Sequence, residues 1–188
     1  MVTKEQLQKW YEKGMPYDEY LSSSGSRADH WHKVGEQARL SNAQQRLLGS
    51  FVRDMNVLVI SGVWCGDCSA QGPMLAAIAE ISQTISLRWI DRDEAMDLSN
   101  QVKINAGNRV PTVLFMAEDF ELVSIVGDRT LTRYRAIASR QLGVACDLPG
   151  IAIPQDEFDA TMQEWLNEFE RVQLLLRLSG RLRQKHGD

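Results

Sequence analysis

Cysteine is scarce in this chain. Three thiols in 188 residues, an odd number, do not make a disulfide framework. Long apolar runs are missing as well. No stretch approaches the roughly 20 residues that cross a bilayer. The opening Met1-Val2-Thr3-Lys4-Glu5-Gln6 has no apolar segment of the secretory kind. These absences point to a cytoplasmic protein with no membrane association. Excess positive charge is also lacking. Lys and Arg number 21 against 25 Asp and Glu, so the net charge of −4 gives no expectation of a nucleic-acid partner. Histidine is sparse, and His30 and His32 stand two apart, a spacing that does not share a helix face, so no metal site is read there. What is present is a 44% share of hydrophobic residues, enough for the core of one domain with appendages.

The first part of the chain reads as helical. Thr3-x-x-Gln6 and Ser41-x-x-Gln44 are both capping-box patterns, each leading into apolar residues at helical spacing. Pro16 is placed to open a short helix carrying Tyr17, Tyr20 and Leu21. From Asn56 the pattern changes. Val57-Leu58-Val59-Ile60 is the apolar, β-branched run of a buried parallel strand. A helix over 69–81, a strand over 85–91, a helix over 94–102, a two-strand hairpin over 112–126 and a helix over 130–142 follow. That order predicts an α/β fold with a mixed central sheet flanked by helices. Beyond Pro149-Gly150 and Pro154, the residues Phe158, Met162, Trp165, Phe169, Val172 and Leu176 form an apolar seam on one long helix. The seam is read as docking on the chain's own core, with a homodimer through this helix as the second reading. Acidic residues at its start and Arg177, Arg181, Arg183 and Lys185 at its end suit the helix dipole, and the basic end is read as solvated. The chain thus divides into a helical N-terminal extension (1–54), an α/β core (55–143) and a C-terminal helix (144–188).

Chemistry concentrates in Trp64-Cys65-Gly66-Asp67-Cys68, directly after the first strand. Cys65 is expected at the N-cap of the following helix. The first-turn N–H groups there have no intrahelical partner and favour negative charge. A thiol so placed drops from about 8.5 to roughly 3.5–7.5. Cys65 is therefore the expected nucleophile and Cys68, one turn deeper, the resolving thiol. Gly66 leaves room for an incoming chain. Zinc at Cys65 and Cys68 would need two more ligands, and no second CxxC exists. Cys146 is read as a bystander thiol.

These residues resemble the WCGPC site of thioredoxins. Pro73 stands where that family has a helix-kinking proline, Arg109-Val110-Pro111-Thr112 is similar to its cis-proline loop, and Gly127 ends the next strand as a glycine does there. The resemblance spans residues 56–142. The outer segments look like those of bacterial thioredoxin-like proteins with a helical N-terminal extension, among them Glu12-Lys13-Gly14-Met15-Pro16-Tyr17-Asp18-Glu19-Tyr20 and the pair Arg92-Asp93. The resemblance implies a thioredoxin-like fold and thiol–disulfide exchange without organic cofactor or metal. Pro111 would be cis against the cysteines, Val110 would offer its backbone to an extended substrate, and Trp64 would flank the same groove. Substrates would be disulfide-containing proteins or low-molecular-weight thiols, with electrons from a reductant the sequence does not name.

Two departures stand out. Asp67 replaces the usual proline, and its carboxylate is expected to oppose the adjacent thiolate and make the couple more reducing. Val59 replaces a buried aspartate six residues before the first cysteine, so a general base for the resolving thiol is missing. Val59 and the large non-core portion suit an alternative role as a binding or adaptor module; the retained second cysteine favours the enzyme.

Overall fold

The computed structural model describes residues 2–22, 25–142 and 156–188. Cys146, Pro149, Gly150 and Pro154 lie outside the described residues. Among the described residues four strands form one sheet: β1 (Met55–Ser61), β2 (Ile85–Asp91), β3 (Thr112–Ala117) and β4 (Leu122–Gly127), in the order β2-β1-β3-β4. β1 runs parallel to β2 and antiparallel to β3, and β3 pairs with β4 as a hairpin. The sheet is therefore mixed. Successive side chains of a strand point to opposite faces, and Val57, Leu58, Val59 and Ile60 are all sealed from solvent, so both faces of β1 are covered.

The helices do the covering. α1 (Lys4–Lys13) and α4 (Asn42–Gly49) both begin with complete capping boxes, on Thr3 with Gln6 and on Ser41 with Gln44. Between them lie α2 (Tyr17–Ser22), a 3₁₀ turn over Gly25–Ala28 and α3 (Asp29–Gln37). This N-terminal part is fused to the core. Met15 exchanges two backbone hydrogen bonds with Trp89 of β2, at 2.7 and 2.8 Å, which occupies the exposed side of that edge strand. Tyr17, Tyr20, Trp31 and Trp89 pack as an aromatic cluster with centroids 5.4–6.2 Å apart. Trp31 is buried while its neighbours His30 and His32 face solvent.

α5 (Gly66–Ile81) is buried on several sides, by α3, α4, α8 and the sheet. Its crossing with α3 is so close that a Cβ on Gly72 would sit 2.1 Å from the Trp31 ring. Gly72→Ala forces that fully buried indole to move, and an overpacked core site of this kind costs about 2 kcal/mol. Urea unfolding should show a lowered midpoint with an unchanged slope.

α6 spans only Met96–Ser99, shorter than the 94–102 the sequence suggests. Tight i to i+3 bonds at Gln101 and Val102 end it, and the chain turns into the Ile104–Gly107 bridge, where Asn105 and Ala106 take positive φ. Val102 is drawn into the core instead of continuing a helix.

α7 (Leu131–Leu142) is followed by α8 (Glu157–Leu178) and α9 (Gly180–His186). The seam on α8 docks on the chain's own core. Met162, Trp165, Phe169, Val172 and Leu176 are buried, and Phe169 meets Phe115 of β3 edge-on at 5.0 Å. Buried Gln173 ties α8 to the segment before β1, accepting from the N–H groups of Val52 and Arg53 and donating to the Arg53 carbonyl at 3.0 Å. The basic end of the chain is not simply solvated. Arg181 and Lys185 pair with Asp119 and Glu118 at the β3–β4 turn, and His186 contacts Glu118 at 2.9 Å. No helix of the described residues is long and apolar enough to cross a membrane.

Candidate active site

β1 delivers the chain to the CxxC and α5 starts on it. Cys65 is the N-cap of α5, with extended backbone (φ −87, ψ 123), and Gly66 is the first helical residue. Cys65 and Cys68 are free thiols, the first half-buried and the second sealed from solvent. The Val110–Pro111 peptide, in the loop before β3, is cis. It lies directly against the site, since the Cys65 thiol donates to the Val110 carbonyl at 3.6 Å. Gly127, at the end of β4, backs this loop so closely that a Cβ there would fall 2.3 Å from the Pro111 carbonyl oxygen. Only glycine fits such an approach.

The other sequence-singled residues fall around this pair. Trp64 is 48% exposed. The Arg92 guanidinium sits 4.5 Å above its ring and also binds Asp93 at 2.8 Å, which gives the Arg92-Asp93 pair a place at the rim. Gly66 is exposed, with open space where a side chain would be. Val110 and Pro111 are buried. Arg109 reaches Asp128 at 3.9 Å. Val59 lies in the middle of β1 opposite Trp89 and Val113, an apolar residue among apolar neighbours.

Asp67 is where tertiary structure adds most. Its carboxylate is clamped by Arg129 at 2.6 Å and Arg133 at 2.8 Å. Arg129 also meets Asp128, and Arg133 meets Glu157 at the start of α8. A chain of alternating charges thus runs from the CxxC to the C-terminal helix. Beneath it, buried Gln71 uses both ends of its amide. It donates to the carbonyls of Asp67 and Asp128 (3.2 and 3.0 Å) and accepts from Thr130 N–H and the Trp165 indole (3.3 and 3.2 Å). Sequence reasoning missed Arg129, Arg133 and Gln71. The sequence signal for Gln71 is a polar side chain in the middle of a largely apolar helix; Arg129 and Arg133 carry none.

A family model described as thioredoxin matches residues 14–135. The chain belongs to the thioredoxin family. Among solved structures it is similar to a protein of unknown function from Pseudomonas aeruginosa, with 16% identity and TM-score 0.68 over 92% of this chain and 97% of that one. It is also similar to an HIV epitope scaffold, with 18% identity and TM-score 0.60 over 88% and 92%. Mitochondrial thioredoxin 3 of Saccharomyces cerevisiae, in its oxidized form, aligns at 19% identity and TM-score 0.36 over 51% of this chain and 85% of that one. At these identities the first two show a shared fold, and their coverage takes in the helices outside the thioredoxin core. No curated protein sequence matches the chain.

In this member of the thioredoxin family, the electrostatics of the candidate site separate its two thiols. The Cys68 thiol, hydrogen-bonding to Cys65, does most to bring Cys65 down to about 6; burial opposes it, and the N–H groups of Cys68 and Asp67 assist. Asp67 raises the Cys65 thiol, as its sign requires, but is the weakest of these influences. For Asp67 itself burial pushes the carboxyl up, and the two arginines overrule it and hold it below its ordinary value. The expected repulsion is therefore present but largely neutralised. Cys68 is driven well above its ordinary value, by burial first and by Cys65 next.

Alkylation by iodoacetamide should accordingly follow one ionisation with its midpoint near pH 6. The linkage sign is that of an acid whose folded value is depressed. The thiolate's contribution to stability is complete above its ordinary value of 9.0 and is lost as pH falls through about 6. The stability advantage of the reduced protein over Cys65→Ser should shrink across that window. Asp67→Asn should move the alkylation midpoint lower, because Arg129 and Arg133 then face the thiolate unneutralised.

Proposed function

We propose that this protein is a thiol–disulfide oxidoreductase that exchanges its Cys65–Cys68 dithiol with the disulfides of proteins or low-molecular-weight thiols. The observation that carries this reading is the asymmetry of the pair. Cys65 is accessible and ionised near neutral pH, and Cys68 behind it is buried and protonated. Such a pair reacts in a fixed order. The Cys65 thiolate attacks one sulfur of the partner disulfide, forming a mixed disulfide and releasing one partner thiol. Cys68 then attacks Cys65, the Cys65–Cys68 bond forms, and the second partner thiol leaves. Two electrons pass from the dithiol to the partner, and an external reductant restores the dithiol. An extended substrate segment would lie along Val110–Pro111, with Trp64 and Arg92 on its flank and open space over Gly66.

Trapping tests this directly. Cys68→Ser should hold partners as dithiothreitol-sensitive mixed disulfides at Cys65. If neither oxidised glutathione nor any disulfide-bonded protein is captured by it, the exchange reading fails and the binding-module alternative takes its place.

A further inference from the structure

Strand register sets two loops side by side next to the CxxC. Thr112, at the start of β3, pairs with Gly127, at the end of β4. The loop before β3 carries Arg109 and the cis Val110–Pro111 peptide, and the loop after β4 carries Asp128 and Arg129. Both arginines turn to one carboxylate. Arg129 meets Asp128 at 3.4 Å and Arg109 meets it at 3.9 Å. Arg129 continues to Asp67 at 2.6 Å, where Arg133 joins it at 2.8 Å.

The charges in this row are layered. The Asp128 side chain is 4% exposed and Asp67 16%, whereas Arg109 is 48% exposed and Arg129 25%. The Tyr134 hydroxyl also donates to the Asp128 carboxylate. Carboxylates thus lie below and guanidinium groups above, and an approaching chain meets positive charge. The whole chain carries a net charge of −4, so this basic face is not its average surface. On the opposite flank Arg92 is matched by Asp93, which is the more exposed of the two, so that side offers no excess of positive charge.

We propose that the cis-proline side of the site is a docking surface for acidic peptide segments next to the substrate disulfide, with Arg109 and Arg129 selecting them. The proposal rests on the exchange reading above. Arg109 directly precedes Val110, whose carbonyl is 3.6 Å from the Cys65 sulfur. An extended substrate advances about 3.3 Å per residue, so residues within roughly two positions of its cysteine pass these guanidinium groups. Arginine suits the task because its planar fork matches a carboxylate. Arginine clusters recur where acidic motifs are recognised. Asp67 does not repel such a segment, since Arg129 and Arg133 already neutralise it.

The test compares disulfide-linked peptides that differ only at the two residues on each side of the cysteine, set to Glu, Gln or Lys. Second-order rate constants for their reduction by the full chain are measured at low salt. Glu-flanked peptide should react roughly tenfold faster than Gln-flanked, as electrostatic steering allows, and Lys-flanked slowest. The difference should collapse at about 1 M salt, where the Debye length is about 3 Å. Arg109→Gln should lower the Glu-to-Gln ratio several-fold, and Arg109→Glu should abolish it. Equal rates for the three peptides at low salt overturn the proposal, and so does a preference that both Arg109 variants keep. If oxidised glutathione shows the same rate and the same loss in Arg109→Gln as the Glu-flanked peptide, the surface serves small anionic disulfides and the acidic-segment assignment is overturned. S-alkylated Glu- and Gln-flanked peptides titrated into the wild type read docking without exchange. Tighter, salt-sensitive binding of the Glu-flanked peptide, lost in Arg109→Glu, supports the surface, and equal binding overturns it. A wild type that reduces none of the peptides overturns the exchange reading instead, so the two failures are distinguishable.

Discussion

Cys65→Ser should abolish the proposed reduction of protein disulfides, with a residual rate about a thousandfold or more below wild type, as expected when the nucleophile of a covalent mechanism is removed. Insulin reduction with dithiothreitol as electron source measures it, with the dithiothreitol background subtracted. The physical ground is that no other side chain among the described residues of the site replaces this sulfur. A serine hydroxyl does not ionise near neutral pH and forms no disulfide. Cys68 remains, but it is buried and its thiol is held well above the ordinary value. Fold and thermal stability should stay close to wild type at acidic pH, where the Cys65 thiolate contributes nothing. A Cys65→Ser variant that still reduces insulin would remove the mechanism proposed for the pair.

Gln71→Leu should destabilise the fold by about 4 kcal/mol. The leucine keeps most of the volume and the apolar surroundings, so the loss is one of hydrogen bonds. It leaves buried groups without their partner, chiefly the Asp128 carbonyl, Thr130 N–H and the Trp165 indole. Each buried group left unsatisfied costs about 1–3 kcal/mol. At roughly 2–4 °C per kcal/mol for a chain of this size, the melting temperature falls by about 10 °C or more. A melt monitored by circular dichroism measures it. Gln71 joins the active-site helix to the segment before α7 and to α8 at once. Tryptophan fluorescence from Trp165 should therefore report loosening of α8 under milder conditions than global unfolding.

Much of the architecture is legible in the sequence because it is written in local patterns. Both capping boxes, all four strands and the start of the CxxC helix follow from residues within a few positions of one another. The seam on α8 is periodic, and its burial against Phe115 is the use that periodicity predicts. Where the local pattern is weak, the reading departs. Residues 94–102 have helical composition, yet only Met96–Ser99 is helix, because the core claims Val102 and the chain must turn through Asn105 and Ala106. The basic terminus reads as solvated until the fold sets Glu118 and Asp119 beside it.

By itself the sequence placed the two thiols. A thiol at the junction of an apolar strand and a helix is placed by its immediate neighbours, and so is a second thiol one turn on. What surrounds those thiols was decided by tertiary structure. The charge of Asp67 is neutralised from 62 and 66 residues away, by Arg129 and Arg133. The Cys65 thiol meets the Val110 carbonyl across a separation of 45 residues. Tyr20 stacks on Trp89, 69 residues away, where Met15 docks on β2 and brings α2 with it. Side-chain meetings at such separations depend on strand register and helix docking, which no short window of sequence contains.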